Sequence, residues 1–174
     1  MKIYMVKHNN LEHMAVSENG SDFFIPNVIK DCPEQYKTVD NYLNYSEKND
    51  KELKDFIDYK KLISVPVSKQ NILAPILRPK QNIICMGLNY EDHIKESEKV
   101  FSKDIKRPKY PIIFTKSTLS INSPYGEIPL RSEVSEEIDW ESELAIIIGK
   151  PGIHIKKEEA YDYIYGYTVL NDIS

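Results

Sequence analysis

The stretch IDWESELAIIIG, residues Ile138 to Gly149, decides how the second half of this chain is read. Side chains on a strand alternate between faces, so Glu141 and Glu143 point the same way, with backbones about 6.6 Å apart. Asp139 shares their parity, whereas Trp140 and Leu144 face the other side. Two carboxylates about 6 Å apart repel by roughly 3 kcal/mol at an effective dielectric of about 20, and far less in open water. The pattern therefore suits a solvated acidic edge. It also suits a divalent cation held by hard oxygen ligands. Mg²⁺ takes one or two carboxylates, keeps waters and leaves positions for substrate oxygens. Mn²⁺ or Ca²⁺ fits the same donors. A third carboxylate would come from a neighbouring strand, and Asp172 in TVLNDIS is the candidate, although spacing alone does not place it.

Outward from this stretch the chain is rich in short apolar runs. NIICMGL (82–88), YPIIF (110–114) and ELAIIIG (143–149) read as strands. Between the first two lies NYEDHIKESEKVFSKDIKRPK (89–109), polar and highly charged, which reads as a mobile loop or lid. KKEEAYDYIYGY (156–167) predicts a short helix with Gly166 at its C-terminal cap, after which TVLND resumes strand character. Many short strands with few helices predict an α+β, β-rich chain of folded-over sheets.

Residues 1–70 read as a small accessory domain. KIYMV and DFFIPNVI have strand character around a turn at Asn19-Gly20. Val39, Tyr42 and Leu43 have helical spacing, as do Leu53, Phe56 and Ile57, with Asn49 or Asp50 as the cap of the second helix. SVPVSKQNILAPILRPKQ (64–81), with Pro66, Pro75 and Pro79, reads as an extended connector.

Composition narrows the function. The chain has 174 residues, 41% hydrophobic and 29% charged, with a net charge of -4. That balance argues against nucleic acid, which asks for a basic stripe. MKIYMVKHNN lacks the apolar run of a signal peptide, and no window approaches the roughly 18 apolar residues of a membrane span. Cys32 and Cys85 match no metal spacing and read as reduced thiols of a cytoplasmic protein. His8, His13 and His154 read as surface residues. His93 and Glu96 are spaced i, i+3, so on a helical turn they share a face. A carboxylate beside imidazole raises its basicity and fixes its tautomer, as a general base needs, although a surface pair on a charged loop has the same spacing.

NIICMGLNYEDHIKE, PIIFTKS, IDWESELAIIIGK and AYDYIYGYTVLNDIS occur in that order. Together they resemble the fumarylacetoacetate hydrolase family, in its bacterial type with a short N-terminal domain. The resemblance covers about residues 72–174 and implies an FAH-like folded β-sheet, or β-roll, catalytic domain from residue 71 onward. By motif it makes Glu141, Glu143 and Asp172 ligands of Mg²⁺ or Mn²⁺, with Asp139 only a neighbour. It makes His93 the general base and Glu96 its orienter. Lys116, in IFTKS, matches a recurrent family lysine that helps bind an acidic substrate or serves a structural ion pair. The implied substrates are small oxo acids: acylpyruvates and related β-dicarbonyl acids, cleaved hydrolytically at a carbon–carbon bond. Decarboxylation of oxaloacetate-like acids and keto–enol tautomerisation are the alternatives within the family. A non-catalytic remnant that binds metal or a partner is the alternative outside it. The resemblance also implies a homodimer in the full-length form.

Family members continue for roughly another hundred residues past the NDIS motif. The chain is therefore expected to be an incomplete, N-terminal portion that exposes apolar faces such as LAIIIG. Alone it is expected to show little turnover, which a steady-state assay with an acylpyruvate and Mn²⁺ would test.

Overall fold

Asn9 and Asn10 shape the first hairpin. Both have positive φ, 50° and 61°, the conformation of a two-residue type I′ turn, which asparagine tolerates and which matches the right-handed twist of paired strands. The turn joins β1 (Lys2–His8) to β2 (Leu11–Ser17) in an antiparallel register from Lys2↔Ser17 to His8↔Leu11. The computed structural model describes residues 1–45, 50–92, 94–95 and 108–174. These fall into two compact units, Met1–Leu77 with Asn122–Ser174, and Arg78–Ile121.

In the first unit, β5 (Ile72–Leu73) pairs with the free edge of β1 to give the order β2-β1-β5. The proline-rich stretch is thus more than a connector. It also supplies β4 (Val65–Pro66), paired with β3 (Asp22–Phe23). The three-stranded sheet is covered on both faces. Met5, Met14 and Val16 pack with Tyr36, Tyr42 and Leu53, while Val6 and Ala15 pack with Phe23 and Ile25. Helices α1 (Val39–Asn44) and α2 (Asp50–Tyr59) form where helical spacing predicts them, and the Thr38 side chain caps α1 by accepting from the Asn41 N–H at 3.1 Å. Cys32 and Cys85 are free thiols, and burial pushes the Cys32 thiol up to about 11.

Burial on both faces overturns one expectation. His13 is not a surface residue but 5% exposed, because β2 is buried without alternation from His13 to Ser17. Asn27 Nδ2 donates to its Nδ1 at 3.1 Å, and the His8 backbone bonds the ring as well. Burial holds its pKa below the ordinary histidine value. His8 is half-buried, and His154 is exposed.

The same unit carries β8 (Ser142–Ile148) and β9 (Ile164–Asn171), paired antiparallel. A 3-10 helix over Lys157–Tyr163 leads into β9. Gly166 is therefore not a helix cap: it lies within β9, opposite Ile147. One hairpin face is bare, with Leu144, Ile146, Ile148, Tyr167 and Val169 all at least half exposed. In the second unit, β6 (Ile83–Gly87) pairs antiparallel with β7 (Ile112–Lys116), and Ile84 and Ile113 are exposed. No helix among the described residues is long and apolar enough to cross a membrane.

Two measurements test this picture. Leu53 is 0% exposed and Leu144 is 59% exposed. In urea unfolding, Leu53→Ala is expected to cost about 2–5 kcal/mol and Leu144→Ala about 0.5 kcal/mol or less. A neutral His13 is favoured in the folded state, so its stabilisation is full above the unfolded value of about 6.5 and is lost as pH falls through the lower folded value. The urea midpoint is expected to drop more steeply below pH 6 in the unmutated chain than in His13→Gln; parallel profiles would contradict a buried, neutral His13.

Candidate functional site

The β8–β9 ladder runs past both strand ends. The Asp172 N–H donates to the Glu141 carbonyl at 2.8 Å, and Asp139 and Ser174 exchange backbone bonds of 2.8 and 3.2 Å. Continuing from the Ser142↔Asn171 pair, this register sets Glu141 opposite Asp172 and Glu143 opposite Leu170. Directly opposed residues in such a ladder have Cβ atoms about 4.5–5.5 Å apart. The three carboxylates thus share one face, and it is the sheltered one. Glu141 and Glu143 are half-buried and Asp172 is buried, while Leu144 and Val169 on the other face are exposed.

Local bonds tune this end of the hairpin. The Glu141 N–H donates to the Asn171 side-chain oxygen at 3.2 Å. Asp139 Oδ1 accepts from the Trp140 N–H at 2.8 Å, so its carboxylate is turned onto its own backbone. Like charges placed directly opposite each other destabilise a ladder, and a cation between them reverses that sign. The donors are hard oxygens throughout, which fits a hard divalent cation in ligand type. The side chains are not gathered around a point, however. Among the described residues, no group of three or more His, Cys, Asp or Glu is close enough to hold a metal ion.

His93 and Glu96 lie outside the described residues. The residues flanking His93 are helical, with the Ile94 N–H donating to the Tyr90 carbonyl at 3.2 Å and Lys95 paired to Glu91 at 3.2 Å. Lys116 ends β7 opposite Ile83.

Sequence reasoning missed a second polar centre. Tyr42 and Tyr165 both donate their hydroxyls to Asp50 Oδ1, at 2.7 and 3.0 Å. The two rings meet edge to face, 5.9 Å apart between centroids. Burial first, and then Asp50, push both phenols well above the ordinary tyrosine value. The only signal in the sequence was Asp50 at a helix start. Beside this centre opens a cleft of about 340 Å³, lined among others by Asp50, Lys150, Asp162, Tyr163 and Tyr165. It lies at the Ile148–Ile164 end of the hairpin, a strand length of about 20 Å from the carboxylates. The Lys150 ammonium sits over the Tyr163 ring, 4.4 Å from its centroid. The carboxylate face remains the better candidate site, because it carries the denser set of reactive donors.

Residues 82–174 match the family model described as fumarylacetoacetate (FAA) hydrolase C-terminal. Oxaloacetate tautomerase YisK of Bacillus subtilis is 41% identical over 108 residues, which are 62% of this chain and 35% of that protein. The mitochondrial oxaloacetate tautomerase Fahd2a of Rattus norvegicus is 46% identical over 110 residues, 63% of this chain and 33% of its own. The chain thus spans about a third of the length of these curated relatives. Among solved structures, a fumarylacetoacetate hydrolase from Exiguobacterium antarcticum superposes with a TM-score of 0.73 at 28% identity, covering 100% of this chain and 56% of that one. The sheet-rich fold is therefore that of these enzymes along the whole chain. The matched region is more than half of the chain and includes the carboxylate hairpin, and the chain belongs to the fumarylacetoacetate hydrolase family.

Proposed function

We propose that this chain contributes the metal-binding hairpin and the base of a site that interconverts the keto and enol forms of an oxaloacetate-type acid. The observation that carries the reading is the hairpin register, which aligns Glu141, Glu143 and Asp172 on one sheltered face. The choice of reaction draws on the relatives, whose names are those of oxaloacetate tautomerases. The motifs alone favour hydrolysis and keep tautomerisation as an alternative; the relatives reverse that order.

Glu141, Glu143 and Asp172 would hold Mg²⁺ or Mn²⁺, with Ca²⁺ suited to the same oxygens. When bound, such a cation supplies Lewis-acid stabilisation of an enolate. His93 would take the proton from the carbon beside the keto group, and the proton is returned on oxygen to give the enol. Glu96 would fix the imidazole tautomer that leaves one ring nitrogen as the acceptor. No water attacks in this scheme, which separates it from hydrolysis. The hydrolytic reading keeps support from the structural match to a fumarylacetoacetate hydrolase. In it, His93 would take its proton from water instead. Residues 1–70 would serve as an accessory domain, and the working assembly would be a cytoplasmic homodimer acting on a small oxo acid without nucleic acid or membrane.

Metal binding is tested by a thermal melt with and without Mn²⁺, beside a Glu141→Ala/Glu143→Ala double variant. Saturation at a hundredfold excess over Kd adds about 2.7 kcal/mol to the folded state. The transition is expected to rise only in the unmutated chain, and equal behaviour of the two proteins would remove these residues as ligands. For the reaction, decay of the enol absorbance of oxaloacetate is followed with parallel assays of pyruvate and of acylpyruvate cleavage. In the full-length form, faster ketonisation, lost in His93→Ala and with neither pyruvate nor cleavage, is the expected result. Pyruvate release would move the reading to decarboxylation, and acylpyruvate cleavage to hydrolysis.

A further inference from the structure

The Asp50 centre joins residues far apart in the chain. Tyr42 lies on α1 and Asp50 opens α2, both in the N-terminal segment, whereas Tyr165 lies on β9, 115 residues beyond Asp50. All three belong to the same compact unit. A carboxylate that accepts two hydroxyls makes charge-assisted bonds, which are shorter and stronger than neutral ones. Asp50 also opens its helix, where the dipole favours negative charge. Tyr42 is 0% exposed, so the acceptor is anchored to a ring that the core holds fixed. Tyr165 in turn packs against the core cluster of Met5, Met14 and Leu53.

Among the described residues, the outer face of the hairpin is bare, and its extensive contacts are those between β8 and β9 themselves. We propose that Asp50 is a positioning residue, a latch through which the N-terminal segment holds the hairpin that carries Glu141, Glu143 and Asp172. Residues 1–70 thereby acquire a role at the site through Asp50. The latch rests on the functional reading above only in that this hairpin carries the metal ligands.

The test uses the whole chain with Tyr165→Phe, Asp50→Ala and the double variant. Tyr165→Phe removes one hydroxyl and keeps the ring, so it remains informative where Asp50→Ala fails to fold. Hydrogen exchange of the β8 and β9 amides is read first. Loss of a hydrogen bond to a charged group is expected to speed it about tenfold or more in Tyr165→Phe, with the β1–β2 amides unchanged. Where all variants fold, the double variant is expected to exchange no faster than Asp50→Ala. Unchanged β9 exchange in Tyr165→Phe, or additive effects, would overturn the latch. The second readout is Mn²⁺ affinity of the folded variants by calorimetry, expected to weaken several-fold. An unaltered Kd despite faster exchange would reduce Asp50 to a structural role and overturn its positioning role. If the unmutated chain binds no Mn²⁺, the metal reading above fails, and exchange alone decides the latch.

Discussion

The register of the β8–β9 ladder is the constraint from which the candidate site follows. Strand side chains alternate, so a slip of one residue would carry an entire set to the other face. With Glu143 opposite Leu170 and Asp172 bonded to the Glu141 carbonyl, the carboxylates take the sheltered face, and Leu144, Ile146 and Ile148 take the bare one. The bonds between Asp139 and Ser174 extend the pairing beyond both strands and hold Asp172 in place. Gly166 opposite Ile147 and the irregularity between Ile147 and Ile148 mark where that strict pairing ends.

Much of this was legible in the sequence, because the signals were local. Alternation predicted the common face of Glu141 and Glu143, and the order of four motifs named the family. Helical spacing found α1 and α2. What the sequence hid was set by contacts between distant residues. His13 looked like a surface residue because nothing local marks a strand covered on both sides. Ile72 and Leu73 looked like connector because only β1, far back in the chain, makes them a strand. Gly166 looked like a cap because a glycine after a helical stretch so often is one, yet it lies inside β9. Asp50 is the same lesson at longer range, since Tyr165 bears no mark that distinguishes it from the other tyrosines.

The chemistry assigned to the family turns on small differences at one kind of centre. An enolate arises from an oxo acid by loss of a proton, by loss of carbon dioxide or as the leaving half of a cleaved carbon–carbon bond. In the proposed site the three carboxylates would serve each outcome alike, by holding a cation that offsets the enolate charge common to all three. What distinguishes them is the group that gives or takes the proton and whether water is admitted. Relatives named for tautomerisation and a structural neighbour named for hydrolysis thus share a scaffold without contradiction.

The type I′ turn at Asn9-Asn10 has a consequence in time. Closing a two-residue turn is quick, and hairpins of this kind form in about 1–10 μs. Strand β5 must instead close a loop from Val6 to Ile72, whose entropic cost grows with length. The early hairpin therefore waits with the free edge of β1 unpaired until β5 arrives. The two asparagines set when the chain is most vulnerable to its neighbours, as well as how its first strands are paired.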